Sequence, residues 1–172
     1  MELKGDIPLK GVAWDTAITN YSGIFEPRTQ YMLFVLSLAL GIMYDKRIAT
    51  PEGSEDFSSR SVPRNVIYNH DHGQLEFFFQ AAILSTTTVE MSEDERLELA
   101  FGTDTEYRKI DLLVEFANFG VTKILEQVGS TQLETMENLK NFLIATVEGR
   151  NFDIDALSDE DLGFMDDDNE QF

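Results

Sequence analysis

Between residues 31 and 44 the chain reads Tyr-Met-Leu-Phe-Val-Leu-Ser-Leu-Ala-Leu-Gly-Ile-Met-Tyr, fourteen residues without a charge, interrupted only by Ser37 and Gly41. A helix of that length reaches roughly 21 Å, short of a ~30 Å hydrocarbon slab, so the segment is a core helix and not a membrane span. Being apolar nearly all round, it needs cover on most of its faces. That requirement places it at the centre of a helical bundle or inside a homo-oligomer. Pro27 suits a first helical turn, and Asp45, Lys46 and Arg47 end the segment.

The rest of the chain supplies partners for it. Residues 74–86 carry Leu75, Phe77, Phe78, Phe79, Ala82, Ile83 and Leu84, a second broadly apolar helix. Three capping signatures follow, Ser92–Glu95, Thr103–Glu106 and Thr131–Glu134, each a hydroxyl with an acid three places on. They start three more helices. The longest, over residues 105–128, repeats Ile110, Leu113, Val114, Ala117, Val121, Ile124, Leu125 and Val128 at intervals of three and four, which marks one core face. The next, over 133–147, does so with Leu133, Met136, Leu139, Leu143 and Val147. Residues 1–26, with Gly5, Pro8, Gly11 and Gly23, read as an irregular arm, pinned by Trp14, and residues 50–64 as a long exposed loop.

With no internal repeat and no Gly/Ser linker, the expected fold is mainly α. It is a single-domain bundle of about five helices over residues 27–150, with the N-terminal arm before it and an acidic tail over 151–172 after it. At 172 residues the chain is long enough to bury a core without disulfides or metal, and it has no Cys to form a disulfide or a thiolate site. This suits a reducing cytoplasm. The first residues lack a charged start followed by an apolar stretch, so no secretory signal is expected.

Charge narrows the function classes. The chain holds 32 acids against 13 bases, a net charge of -19, and residues 1–150 alone hold 23 acids and 13 bases. Such a field repels phosphate backbones and anionic lipid, which disfavours direct nucleic-acid or membrane binding, and attracts a basic protein. The tail adds nine acids and no base, with Phe152, Ile154, Leu157, Leu162, Phe164, Met165 and Phe172 among them. A merely solvating tail lacks such apolar residues. Phe152, Leu162, Phe164, Met165, Asp166, Asp167 and Asp168 are therefore the expected partner-binding residues.

No residue cluster spells out a reaction. His70, Asp71 and His72 are ligand types, but there is no further His or Cys, and carboxylates such as Glu76 or Glu115 would have to complete a metal site. A loop leading into a helix is the simpler reading. No Gly-x-Ser-x-Gly, Walker or dinucleotide signature occurs, and Asp166 to Asp168 with Glu170 lack the alternation and central glycine of an EF-hand. No metal, cofactor or catalytic residue is expected. Lys46, Arg47, Arg60 and Arg64 gather near the long loop, but Glu52, Glu55 and Asp56 interrupt them, so a mixed-charge solvated loop is expected there.

Two stretches carry a resemblance. Phe25-Glu26-Pro27-Arg28-Thr29-Gln30-Tyr31-Met32-Leu33-Phe34 leads to Leu38-Ala39-Leu40-Gly41 and Lys46-Arg47, and later comes Glu115-Phe116-Ala117-Asn118-Phe119-Gly120-Val121. Together, over residues 25–128, they resemble the small helical proteins encoded beside prokaryotic DNA phosphorothioation (Dnd-type) modification and restriction systems. The resemblance implies an accessory component of a genome-defence cluster and carries over no catalytic residue. The acidic tail and the long loop depart from that family's compact pattern. The expected function is a non-enzymatic accessory subunit of a DNA-modification or antiphage-defence system, bound to a larger nuclease, helicase or ATPase. The alternative is an acidic DNA mimic that blocks a nucleic-acid-binding protein.

Overall fold

The computed structural model describes residues 5–55, 60–102 and 108–149. Among them run β1 (Ile7–Leu9), α1 (Val12–Phe25), α2 (Thr29–Met43), β2 (Arg60–Val62), α3 (Arg64–His70), α4 (Gln74–Ser85), α5 (Glu93–Phe101), α6 (Lys109–Leu125) and α7 (Gln132–Val147). The protein is mainly α. The described residues form seven helices where the sequence suggests about five, the additional ones being α1 and α3. The chain divides into two compact units, residues 1–139 and 140–172. In the second, the described part is the end of α7, where the Thr146 hydroxyl donates to the Phe142 carbonyl at 2.8 Å. The acidic tail lies outside the described residues.

The apolar run becomes α2, and the first unit is built around it. Leu33, Phe34, Leu38 and Leu40 are buried on α2, as are Leu113, Phe116, Ala117, Val121 and Ile124 on α6. The two helices touch through their backbones at a pair of glycines. A Cβ on Gly41 would collide with the carbonyl of Phe116, and one on Gly120 with the carbonyl of Ser37. Both obstacles are main chain, which cannot swing aside as the end of a side chain can. The residues quoted for the resemblance, Gly41 and the Phe116 to Val121 stretch, are thus the ones that let α2 and α6 meet.

The N-terminal arm is a correction. Residues 7–9 form a strand, antiparallel to β2 with Ile7 opposite Val62, and 12–25 form a helix. Trp14, Ala17, Ile18 and Tyr21 are buried on α1 at helical spacing, a stripe concealed in the sequence by the Gly and Pro around it. Two buried hydrogen bonds lock it to α6. Trp14 Nε1 donates to Asn118 Oδ1 at 2.8 Å, and Tyr21 donates its hydroxyl to the Ile124 carbonyl at 2.7 Å. Burial pushes the Tyr21 pKa up to about 12, so the phenol stays a donor. Asn118 also donates to the Ile48 carbonyl at 2.9 Å, tying the exit from α2 to the same point. Residues 60–62 belong to β2 and not to an open loop, because Val62 has a buried place beside β1. Pro27 lies just before α2, and its peptide bond with Glu26 is cis.

Adding a methyl group at the helix contact should be costly. Gly120→Ala and Gly41→Ala are each expected to lower stability by about 3 kcal/mol, the upper end of ordinary overpacking costs, because the clash is with backbone. Gly5→Ala, where a Cβ meets nothing within 4 Å, should change stability by less than about 0.5 kcal/mol. Urea denaturation of the three variants checks the ranking.

Candidate interaction surface

The sequence candidates for metal chemistry are occupied with structure. His70 ends α3, and the carboxylate of Asp71 accepts from the amides of Gly73 (3.1 Å) and Leu75 (2.9 Å), capping α4. His72 adopts a left-handed backbone conformation, φ 47°, in the turn between the two helices. Glu76 pairs with Lys109 at 2.8 Å and Glu115 with Arg47 at 3.0 Å, each on a different helix. Among the described residues, no group of three or more His, Asp or Glu side chains is placed to hold a metal ion.

The four bases near residues 46–64 are shared out among separate places. Arg60 pairs with Asp15 at 3.1 Å, while Lys46 stands 5.8 Å from the centre of the Phe119 ring. Arg64 lines a shallow open cleft with Asp6, Asn65, Tyr68 and Asn69. Arg47 turns inward, donating to Glu115 and to the Thr88 carbonyl at 2.6 Å.

Arg47 is one of three charged side chains that fasten the connection between α4 and α5. Asp45, at φ 48°, accepts from the amides of Thr87 (2.7 Å) and Thr88 (3.1 Å) and from both hydroxyls. Burial opposes ionisation of Asp45, but these hydrogen bonds outweigh it and hold its pKa below the ordinary carboxylate value. Arg96, on α5, donates to the carbonyls of Ile83, Thr86, Val89 and Met91. It closes the C-terminal end of α4, where helix carbonyls lack intrahelical partners. The capping box expected at Ser92 is present, with the Glu95 carboxylate accepting from the Ser92 amide at 2.9 Å. At Thr131 the hydroxyl accepts from the Glu134 amide, whereas Glu134 reaches Ser130 instead of Thr131. The Thr103–Glu106 pair lies outside the described residues, and α6 starts at Lys109.

What this α4–α5 hairpin presents outward is apolar and acidic. Phe77 is 67% exposed and Phe101 63%, with Leu84 and Leu97 also exposed. Glu90, Glu93, Asp94, Glu95 and Glu98 are exposed around them. Arg96, the one base between residues 74 and 102, is spent on carbonyls. Phe77 and Leu84, expected among the apolar residues that cover the central helix, are instead exposed. Helical phase was the available signal: Leu75, Phe79, Ala82 and Ile83 already fill one face, and three consecutive phenylalanines cannot all share it. A second exposed apolar strip on α2 bears Met32 and Met43. The expected partner-binding residues Phe152, Leu162, Phe164, Met165 and Asp166 to Asp168 lie outside the described residues. No described helix is long and apolar enough to cross a membrane. Comparison with protein-family models, curated proteins and solved structures gave no match.

The Asp45 contacts set a pH dependence. Asp45→Ala is expected to cost about 2 kcal/mol at pH 7, since it removes hydrogen bonds to an ionised group. A carboxyl whose folded pKa is depressed contributes fully above its unfolded value, near 4, and loses that contribution as pH falls through the folded value. The stability gap between wild type and Asp45→Ala should therefore narrow between pH 5 and pH 2. Denaturant titrations across that range measure it.

Proposed function

We propose that this protein is a non-enzymatic interaction subunit that attaches to a larger, basic protein. The observation that supports this most is the α4–α5 hairpin, where large apolar side chains stand exposed within a field of acids. Contiguous exposed apolar surface is costly in a free protein and marks interaction sites. The net charge of -19 points to a partner of opposite sign. The candidate metal-ligand carboxylates, Asp71, Glu76 and Glu115, serve as a helix cap and as ion-pair partners.

The setting proposed for this subunit is a prokaryotic DNA-modification or antiphage-defence assembly, with a nuclease, helicase or ATPase as partner. That setting rests on the resemblance of residues 25–128 to the Dnd-associated proteins. In this reading the tail is a second point of attachment: its acids speed encounter and its aromatic residues prolong the complex.

Isolating the chain with the products of its neighbouring genes tests the proposal. A stable complex that still binds DNA supports an accessory subunit, whereas release of DNA from the partner identifies a DNA mimic. Activity of the lone chain on nucleotides or nucleic acid would remove the proposal. Deleting residues 151–172 should leave the helical circular-dichroism spectrum in place, because the apolar periodicity ends near Val147. It should also weaken the complex and flatten its dependence on salt; unchanged affinity and unchanged salt dependence would reduce the tail to a solubilising end.

A further inference from the structure

The exposed side chains of α4 and α5 form one surface, and its chemistry selects an occupant. The hairpin is antiparallel: Gln80 Nε2 donates to the Ala100 carbonyl at 3.2 Å, and Arg96 reaches the Ile83 carbonyl. Those contacts define the seam between the helices. At about 100° per residue, Phe77 and Leu84 stand roughly 80° round α4 from the seam, and Leu97 and Phe101 roughly 100° round α5 in the same rotational sense. Because antiparallel helices run in opposite directions, equal rotations bring both pairs to the same side. The register sets Leu84 near Leu97 and Phe77 near Phe101, an apolar row about 10 Å long on α4 beside one about 6 Å long on α5.

Charge decides what can lie on that surface. On α5, Asp94 and Glu98 follow the phase of Phe101 and edge the apolar rows, and both are exposed. Arg96 does not offset them, its guanidinium being held by backbone carbonyls. A second copy of this chain would bring the same acidic edge against itself. The chain's own residues 151–172 would bring nine acids and no base.

We propose that the outer face of the α4–α5 hairpin is the docking site for a cationic amphipathic helix of the partner, its apolar residues seated on Phe77, Leu84, Leu97 and Phe101 and its Lys or Arg facing Asp94 and Glu98. This deepens, and rests on, the reading of the protein as a subunit for a basic partner. Apolar anchors at helical spacing fit a face of this kind. The rim charges govern approach and the buried anchors govern residence.

The test uses the full chain and a labelled synthetic helix with Leu on one face and Lys on the other, followed by fluorescence anisotropy at low and high salt. Wild type should bind it, more weakly as salt rises. The double variant Phe77→Ser, Phe101→Ser should bind at least tenfold more weakly with an unchanged helical spectrum, since both side chains are exposed. Asp94→Lys with Glu98→Lys should also weaken binding and reduce its salt dependence. Full affinity in the serine variant overturns the site. Equal binding of a Lys peptide lacking the Leu face overturns the apolar docking, and so does failure of wild type to bind the Leu/Lys helix. A concentration-dependent dimer that the serine variant abolishes, seen by sedimentation, would assign the face to a second copy. The subunit reading is judged apart from these outcomes: if the natural partner binds the serine variant as tightly as wild type, the docking face falls and the subunit reading stands. If no basic partner is held by the wild-type chain, the subunit reading falls.

Discussion

The contact between the backbones of α2 and α6 is the constraint on which the first unit depends. Gly41 lies against Phe116 and Gly120 against Ser37, so the two helices approach more closely than side chains between them would permit. This close approach explains the unusual sequence of α2. A helix whose backbone is pressed onto one neighbour and which also packs on α1 and α4 has little use for polar residues on those faces, and only the strip with Met32 and Met43 is left exposed. It also explains why Asn118 can be buried on α6, since its amide is bonded on one side to Trp14 and on the other to Ile48. An unpaired amide there would carry a desolvation penalty.

From that pair of helices the structure extends outward through polar fastenings. Asp45 and Arg47 leave the end of α2 and grip Thr87 and Thr88, and Arg96 grips the same connection from α5. Each supplies a charged partner to backbone groups that helix ends and turns leave unsatisfied. The exposed face of α4 and α5 is consequently held by a fixed support. Large apolar side chains on such a support can receive a partner without first paying to order the loop beneath them.

The sequence made the central architecture legible where apolar periodicity was long and uninterrupted. α2, α4 and α6 follow it closely; α7 keeps the expected span but leaves Leu133, Met136 and Val147 of the expected core face exposed and buries Thr135, Leu139 and Thr146, while α5 is marked by its Ser92 cap. α1 was hidden because Gly11 and Gly23 punctuate a stripe of only Trp14, Ala17, Ile18 and Tyr21, whose value comes from distant partners at Asn118 and Ile124. Tertiary contacts there override weak local preference. α3 is seven residues long and buries Ile67 alone, too short for a periodic signal. His70, Asp71 and His72 are metal-ligand residue types, yet the Asp71 carboxylate is engaged in capping α4. The interaction surface was illegible for a different reason. Phe77 and Phe79 have the same composition, and only phase relative to the neighbours separates a buried ring from one that is 67% exposed.

The distribution of charge connects this architecture to association. Arg47, Arg60, Arg108, Lys109 and Lys123 are paired with acids, and Arg96 is bonded to carbonyls. The exposed pairs, Arg60–Asp15 and Arg108–Asp111, contribute little to stability, but every pair neutralises its base where it stands. The excess acids are left to shape the field outside, on α5 above all, where the first turn carries Glu93, Asp94 and Glu95. Those charges favour the N-terminal end of their own helix through its dipole, so the acidity of α5 stabilises the hairpin as well as colouring its surface. One feature of the sequence therefore meets two demands. Local helix electrostatics concentrates negative charge at the edge of an apolar face, and that combination discriminates for a cationic, amphipathic surface and against another acidic one.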